Sequence, residues 1–102
     1  MRQNIVVTYK IRPEAYDEHV RLVEGVFAQL QDEQPADVDY QVMCLADGVS
    51  FVHVSSHDTK DGANPLPELA AFKEFGRNIA ARVATEPAPT PATAIGSYRG
   101  LR

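Results

Sequence analysis

The sequence predicts an α+β fold with the element order β-α-β-β-α-β and an antiparallel sheet. Three observations carry that expectation. Apolar residues alternate with a period of two in short segments near 5–11, 38–45 and 49–56. They recur at helical spacing in two longer segments, and an Asp-Gly pair joins two of the strand-like runs. At 102 residues there is room for one hydrophobic core, so residues 1–102 are read as a single domain.

In the first segment Ile5, Val7, Tyr9 and Ile11 share one face, and Val6, Thr8 and Lys10 the other, with the β-branched enrichment of a strand. Pro13 then presets φ for a first helical turn, and Glu14, Asp17 and Glu18 suit the positive end of a helix dipole. Tyr16, Val20, Val23, Phe27 and Leu30 form the core stripe of that helix, which Pro35 ends. Gly25, poor in a helix interior, is expected to mark a close packing contact. Ala46, Asp47 and Gly48 form the turn of a hairpin between strands two and three.

Residues 57–67 contain Asp61, Gly62, Asn64, Pro65 and Pro67 and read as an irregular loop. A second helix follows, with Leu69, Phe72, Ile79 and Val83 on its core stripe, Phe75 beside it, and Lys73, Glu74, Arg77 and Arg82 on its wet side. Pro87, Pro89 and Pro91 predict an extended connector, and the last strand is placed at about 93–99.

The net charge of −4, with ten Lys and Arg spread along the chain, gives no concentrated positive field, so no nucleic-acid partner is expected. No run approaches the roughly 18 apolar residues of a membrane span. Met1, Arg2, Gln3 and Asn4 lead into a strand rather than a signal peptide, so a soluble cytoplasmic protein without a membrane partner is expected. The single cysteine, Cys44, has no partner for an internal disulfide.

Two helices cover one face of such a sheet, yet both registers of strands one to three carry bulky apolar groups. A chain this short supplies no third layer, so a second copy on a two-fold axis is the expected cover, making a homodimer.

Several stretches carry a family resemblance: Ile11, Arg12 and Pro13 opening helix one; Asp47, Gly48, Val49, Ser50, Phe51, Val52 and His53 through the hairpin; Asn64, Pro65 and Leu66 entering helix two; and Gly96, Ser97, Tyr98 and Arg99 near the end. With these residues the chain resembles the ferredoxin-like dimeric α+β barrel superfamily, and within it the antibiotic biosynthesis monooxygenase domain. That resemblance implies a barrel pocket and either a cofactor-independent oxygenase acting on an aromatic or polyketide-type substrate or, the superfamily being functionally mixed, a non-catalytic small-ligand-binding or assembly dimer on the same scaffold. The superfamily's haem-degrading branch pairs an Asn on strand one and a Trp with a haem-ligating His on helix two. Here there is no Trp, Asn4 precedes the expected strand one and helix two holds no His, so that branch is disfavoured and no cofactor is expected.

His53 is the candidate catalytic base. It shares a strand face with Phe51, assigned to the sheet side away from the helices, and an imidazole near neutral pH can take a phenolic proton. The plainer alternative is a packing role at the dimer interface. Tyr9, Tyr40, Phe51, Phe72 and Phe75 are candidate lining of an aromatic-binding pocket, or plain core. His53 and His57 point the same way along a strand but stand about 13 Å apart, too far for one ion, so no metal site is expected. His19 reads as a boundary residue, Cys44 as structural, and Tyr98 and Arg99 as alternating sides of the last strand.

Overall fold

The computed structural model describes residues 2–58 and 64–99. Four antiparallel strands lie in the order β2-β3-β1-β4, formed by β1 (Gln3–Lys10), β2 (Val38–Cys44), β3 (Ser50–His57) and β4 (Ala88–Ala92). Helix α1 (Tyr16–Glu33), α2 (Ala70–Gly76) and the short α3 (Ile79–Arg82) complete the β-α-β-β-α-β order. The strands keep a strict register, with Tyr9 opposite Phe51 and Val7 opposite His53 on one side, and Tyr40 opposite Ser55 and Val42 opposite His53 on the other.

The chain enters α1 through a single 3-10 turn at Pro13–Ala15 and leaves it at Gln34, whose left-handed backbone (φ 47°) returns its N–H to Leu30 O at 2.8 Å. Asp47 builds the β2–β3 hairpin. Its Oδ1 accepts from the N–H groups of Val49 (3.0 Å) and Ser50 (2.8 Å), and Oδ2 accepts from Ser50 Oγ at 2.5 Å. Those donors hold its carboxyl down at about 2, below the usual carboxylate range. Gly48 takes φ 77°, which a side chain tolerates poorly.

Two glycines give a paired prediction. Gly25, expected to sit in a tight contact, has nothing within 4 Å of where a Cβ would lie. Gly25→Ala should therefore raise stability by about 0.5–1 kcal/mol through helix propensity, whereas Gly48→Ala, equally open but at positive φ, should lower it by about 1 kcal/mol. Urea unfolding of the two variants checks the opposite signs.

The structure corrects the expected elements in several places. Strand β1 starts at Gln3, so Asn4 lies within it rather than before it. The last strand is the proline-spaced segment Ala88–Ala92, paired with β1 from Asn4↔Ala92 to Thr8↔Ala88, and residues 93–99 belong to no strand. Prolines are compatible with this because β4 is an edge. Alternate residues of a strand turn their N–H groups to opposite sides, so Pro89 and Pro91 share one phase and leave Ala88, Thr90 and Ala92 to face β1. Tyr98 is accordingly not a strand residue but 81% exposed, and Arg99 takes φ 60°.

The third correction is that helix two is broken. Asn78 adopts a left-handed backbone (φ 60°) between α2 and α3. The break resets the helical phase, so Arg82, expected on the wet side, points into the protein and is 4% exposed. Finally, the helices cover the face of β3 that carries Phe51, His53, Ser55 and His57, which are buried, while Val52, Val54 and Ser56 point away. The face assigned to His53 from the sequence is thus reversed. The reason is visible in the composition: three of these four covered residues of β3 are polar, and the outward face carries the valines.

Tyr9, Ile11, Val26, Phe51, Phe75 and Val83 form the buried core between sheet and helices, with Val20, Val23, Leu30 and Ile79 packed on it. The expected loop is shorter than 57–67, since His57 ends β3 and Leu66–Glu68 form a 3-10 turn; its centre lies outside the described residues.

Candidate functional site

All five candidate pocket aromatics and His53 converge on the helix-covered face. Tyr9 and Phe51, cross-strand partners, stack with ring centroids 5.8 Å apart. Phe75 of α2 sits 5.7 Å from His53 and 6.0 Å from Phe72, and Tyr40 stacks on Phe27 of α1 at 5.2 Å. Strand register supplies the polar side chains of this cluster and the helices supply its lid.

Through this aromatic surrounding runs a continuous line of polar groups. Tyr40 Oη lies 2.6 Å from His53 Nδ1, and His53 Nε2 lies 2.6 Å from Tyr9 Oη. The same Tyr9 oxygen lies 2.7 Å from His19 Nε2, and Arg82 Nε donates to His19 Nδ1 at 3.2 Å. Arg82 is anchored in turn, with one terminal nitrogen donating to Phe75 O, the other donating to Arg77 O at 3.0 Å, and its guanidinium 5.5 Å from the Phe75 ring centre.

Burial makes both histidines weak bases. The His53 pKa falls to about 4, chiefly from desolvation and then from the neighbouring His19; that of His19 falls to about 4 from desolvation and the Arg82 charge. The Tyr9 phenol is pushed well above its usual value by burial and by Tyr40, with Arg82 opposing, and Tyr40 is raised by burial. At neutral pH the line is therefore two neutral imidazoles, two phenols and one guanidinium.

Two members were missed from the sequence. His19, read as a boundary residue, is fully buried; its spacing of four from Val23 and seven from Val26 places it on the core stripe and was the available signal. Arg82 left no signal, because its inward direction depends on the break at Asn78. Cys44 shares the Tyr40 strand face but is exposed, with its thiol held up by desolvation and by the Asp47 carboxylate.

The site has a closed and an open end. His19 and Arg82 are buried, whereas Tyr40, Phe27 and Phe72 are only half-buried. A separate open groove of about 740 Å³ lies across the sheet, on its outward face, bordered by Asn4, Val6, Val54 and Ser56 and by Ala92, Gly96 and Ser97. Among the described residues no cluster of His, Cys, Asp and Glu has metal-ligating geometry, and no helix is long and apolar enough to cross a membrane.

A four-stranded antiparallel sheet with helices on one face and a polar line buried between the layers defines a ferredoxin-like α+β protein with an enclosed site. The solved structures it resembles share this fold over nearly the whole chain. A protein from Bacteroides thetaiotaomicron provisionally named an antibiotic biosynthesis monooxygenase superposes with a TM-score of 0.80 at 12% identity, covering 99% of this chain and 94% of that one. One from Nitrosomonas europaea with the same provisional name gives 0.76 at 15%, covering 92% and 90%. One from Caulobacter crescentus gives 0.74 at 17%, covering 93% and 91%. No protein-family model and no curated protein matches the sequence. The chain thus has the fold of the antibiotic biosynthesis monooxygenase-like proteins.

Proposed function

We propose that this protein is a cofactor-independent oxygenase that takes a small phenolic aromatic, of the polyketide type, at the Tyr40 end of the buried polar line. The observation that carries the reading is the line itself: five hydrogen-bonding side chains held within an aromatic cluster, ending at the half-buried Tyr40, whose ring is flanked by Phe27 and Phe72. A planar ligand has aromatic faces to stack on there and one polar group to meet. The provisional names of the solved structures with this fold lend the reaction class.

In such a reaction a ring methylene and O2 give a carbonyl and water. The substrate supplies all four electrons, one oxygen atom becoming the carbonyl and the other leaving as water, and the reactive form is the electron-rich phenolate. Both ring nitrogens of His53 are engaged by tyrosine hydroxyls, so His53 acts on the ligand through Tyr40 and positions that hydroxyl. Oxygen uptake with a hydroxyanthrone should fall at least tenfold in Tyr40→Phe and in His53→Ala. Uptake at the original rate in both variants would remove this site from the reaction.

A non-catalytic ligand-binding or assembly dimer is the second reading. The version in which Phe51 and His53 are interface groups loses its geometry, since both face the helices. The homodimer itself is retained as part of the proposal and moved to the outward face, where Val6, Val52, Val54 and Met43 are half-buried, with Ile95 and Tyr98 exposed on the segment bordering the groove. Val54→Glu places a charge in the middle of that face and should convert the dimer to monomer in native mass spectrometry; a dimer of undiminished stability would place the interface elsewhere.

A further inference from the structure

We infer that Arg82, at the closed end of the polar line, sets the direction of every hydrogen bond in it, so that Tyr40 meets its ligand as a donor and the site takes an oxygen that only accepts: a phenolate, an enolate or a quinone carbonyl. The inference rests on the aromatic-ligand site proposed above and names the chemical form that the site takes.

The argument follows the protons. A guanidinium has donors and no acceptor, so His19 Nδ1, 3.2 Å from Arg82 Nε, must be the lone-pair nitrogen of its ring. A neutral His19 then carries its proton on Nε2 and donates it to Tyr9 Oη. With that direction occupied, the Tyr9 hydroxyl has one acceptor left within reach, His53 Nε2 at 2.6 Å. Were His53 Nε2 protonated as well, two donors would converge on Tyr9 and its own O–H would be buried with no acceptor, the costly case for a polar group in this environment. His53 therefore carries its proton on Nδ1 and donates to Tyr40 Oη.

Tyr40 has no other hydrogen-bond partner among the described residues, and its own proton is left for a ligand. All four bonds point away from the guanidinium, so their dipoles add and direct positive potential toward the Tyr40 hydroxyl. Such an end stabilises a negative oxygen and has no vacant basic nitrogen to receive a phenolic proton. Ionisation of the ligand is then favoured by stabilising its anion, the proton leaving to solvent, rather than by transfer to His53.

The test is long-range 1H–15N correlation spectroscopy on the ligand-free, 15N-histidine-labelled protein at pH 7. The expected result is His19 protonated on Nε2 and His53 on Nδ1, the less common tautomer of a free imidazole. Arg82→Gln supplies an amide oxygen that can accept from His19, and both histidines should exchange tautomers together. Tyr9→Phe cuts the line in the middle, so in Tyr9→Phe/Arg82→Gln His19 should exchange its tautomer while His53, still donating from Nδ1 to Tyr40, keeps its own. A wild-type His53 protonated on Nε2 overturns the inference whatever the variants do. A His53 tautomer unmoved in Arg82→Gln while that of His19 exchanges also overturns it, by showing that the His53 tautomer is set locally. These spectra need no ligand, so a failure of hydroxyanthrone turnover counts against the oxygenase reading alone.

Discussion

The folded protein should lose stability steeply as the pH falls from about 6.5 toward 4. His19 and His53 have folded-state pKa values of about 4 against an ordinary 6.5, so within this window the unfolded chain binds protons that the folded chain refuses. Stability contributed by a buried neutral histidine is present above the unfolded pKa and is lost as the pH falls through the window to the folded one. Each pH unit removes about 1.4 kcal/mol per histidine, on the order of 3 kcal/mol each by pH 4. Against a total of about 5–15 kcal/mol for a domain, two such groups are a large share. Asp47, at about 2, acts at lower pH: its contribution is lost only as the pH falls from about 4 toward 2. Urea midpoints measured between pH 7 and 4.5 check the prediction, and a flat profile would mean that the two imidazoles are not held neutral.

Phe75→Ala should cost about 3–5 kcal/mol, the range for deleting a buried phenyl ring. Phe75 is 6% exposed and touches nearly every part of the site, its ring lying 5.2 Å from His19, 5.7 Å from His53 and 6.0 Å from Phe72, with the Arg82 guanidinium 5.5 Å from its centre. Its loss opens a cavity beside two neutral imidazoles and admits water to them, so the acid sensitivity should weaken along with the stability at pH 7. Phe75→Leu should recover about half of the loss. A variant within 1 kcal/mol of the parent would show that the aromatic cluster is loosely packed and tolerant of voids.

What the sequence made legible follows from what periodicity can carry. The first three strands and the first helix read correctly because residues such as Ile5, Val7 and Tyr9, or Val20 and Val23, repeat at the period of their element. The five aromatics meet on one side of the sheet because Tyr9, Tyr40 and Phe51 share a strand phase. The sheet face did not read correctly, because a pattern of alternation names two faces without saying which one meets the helices. His53 and Ser55 beneath the helices, with Val52 and Val54 outward, invert the usual polarity. Arg82 was misplaced for a different reason: Arg77, extended, and Asn78, left-handed, leave helical geometry and shift the phase of all that follows. The polar line depends on contacts across 63 residues of sequence between His19 and Arg82, which no local pattern encodes.

The prolines of β4 carry a consequence for how the sheet can grow. A foreign strand arriving at that border would look for N–H donors along its rim, and at positions 89 and 91 it would find pyrrolidine rings instead. Half of the hydrogen-bonding ladder is thereby withdrawn on that side, which protects the protein against edge-to-edge polymerisation while leaving its grooved outward face open.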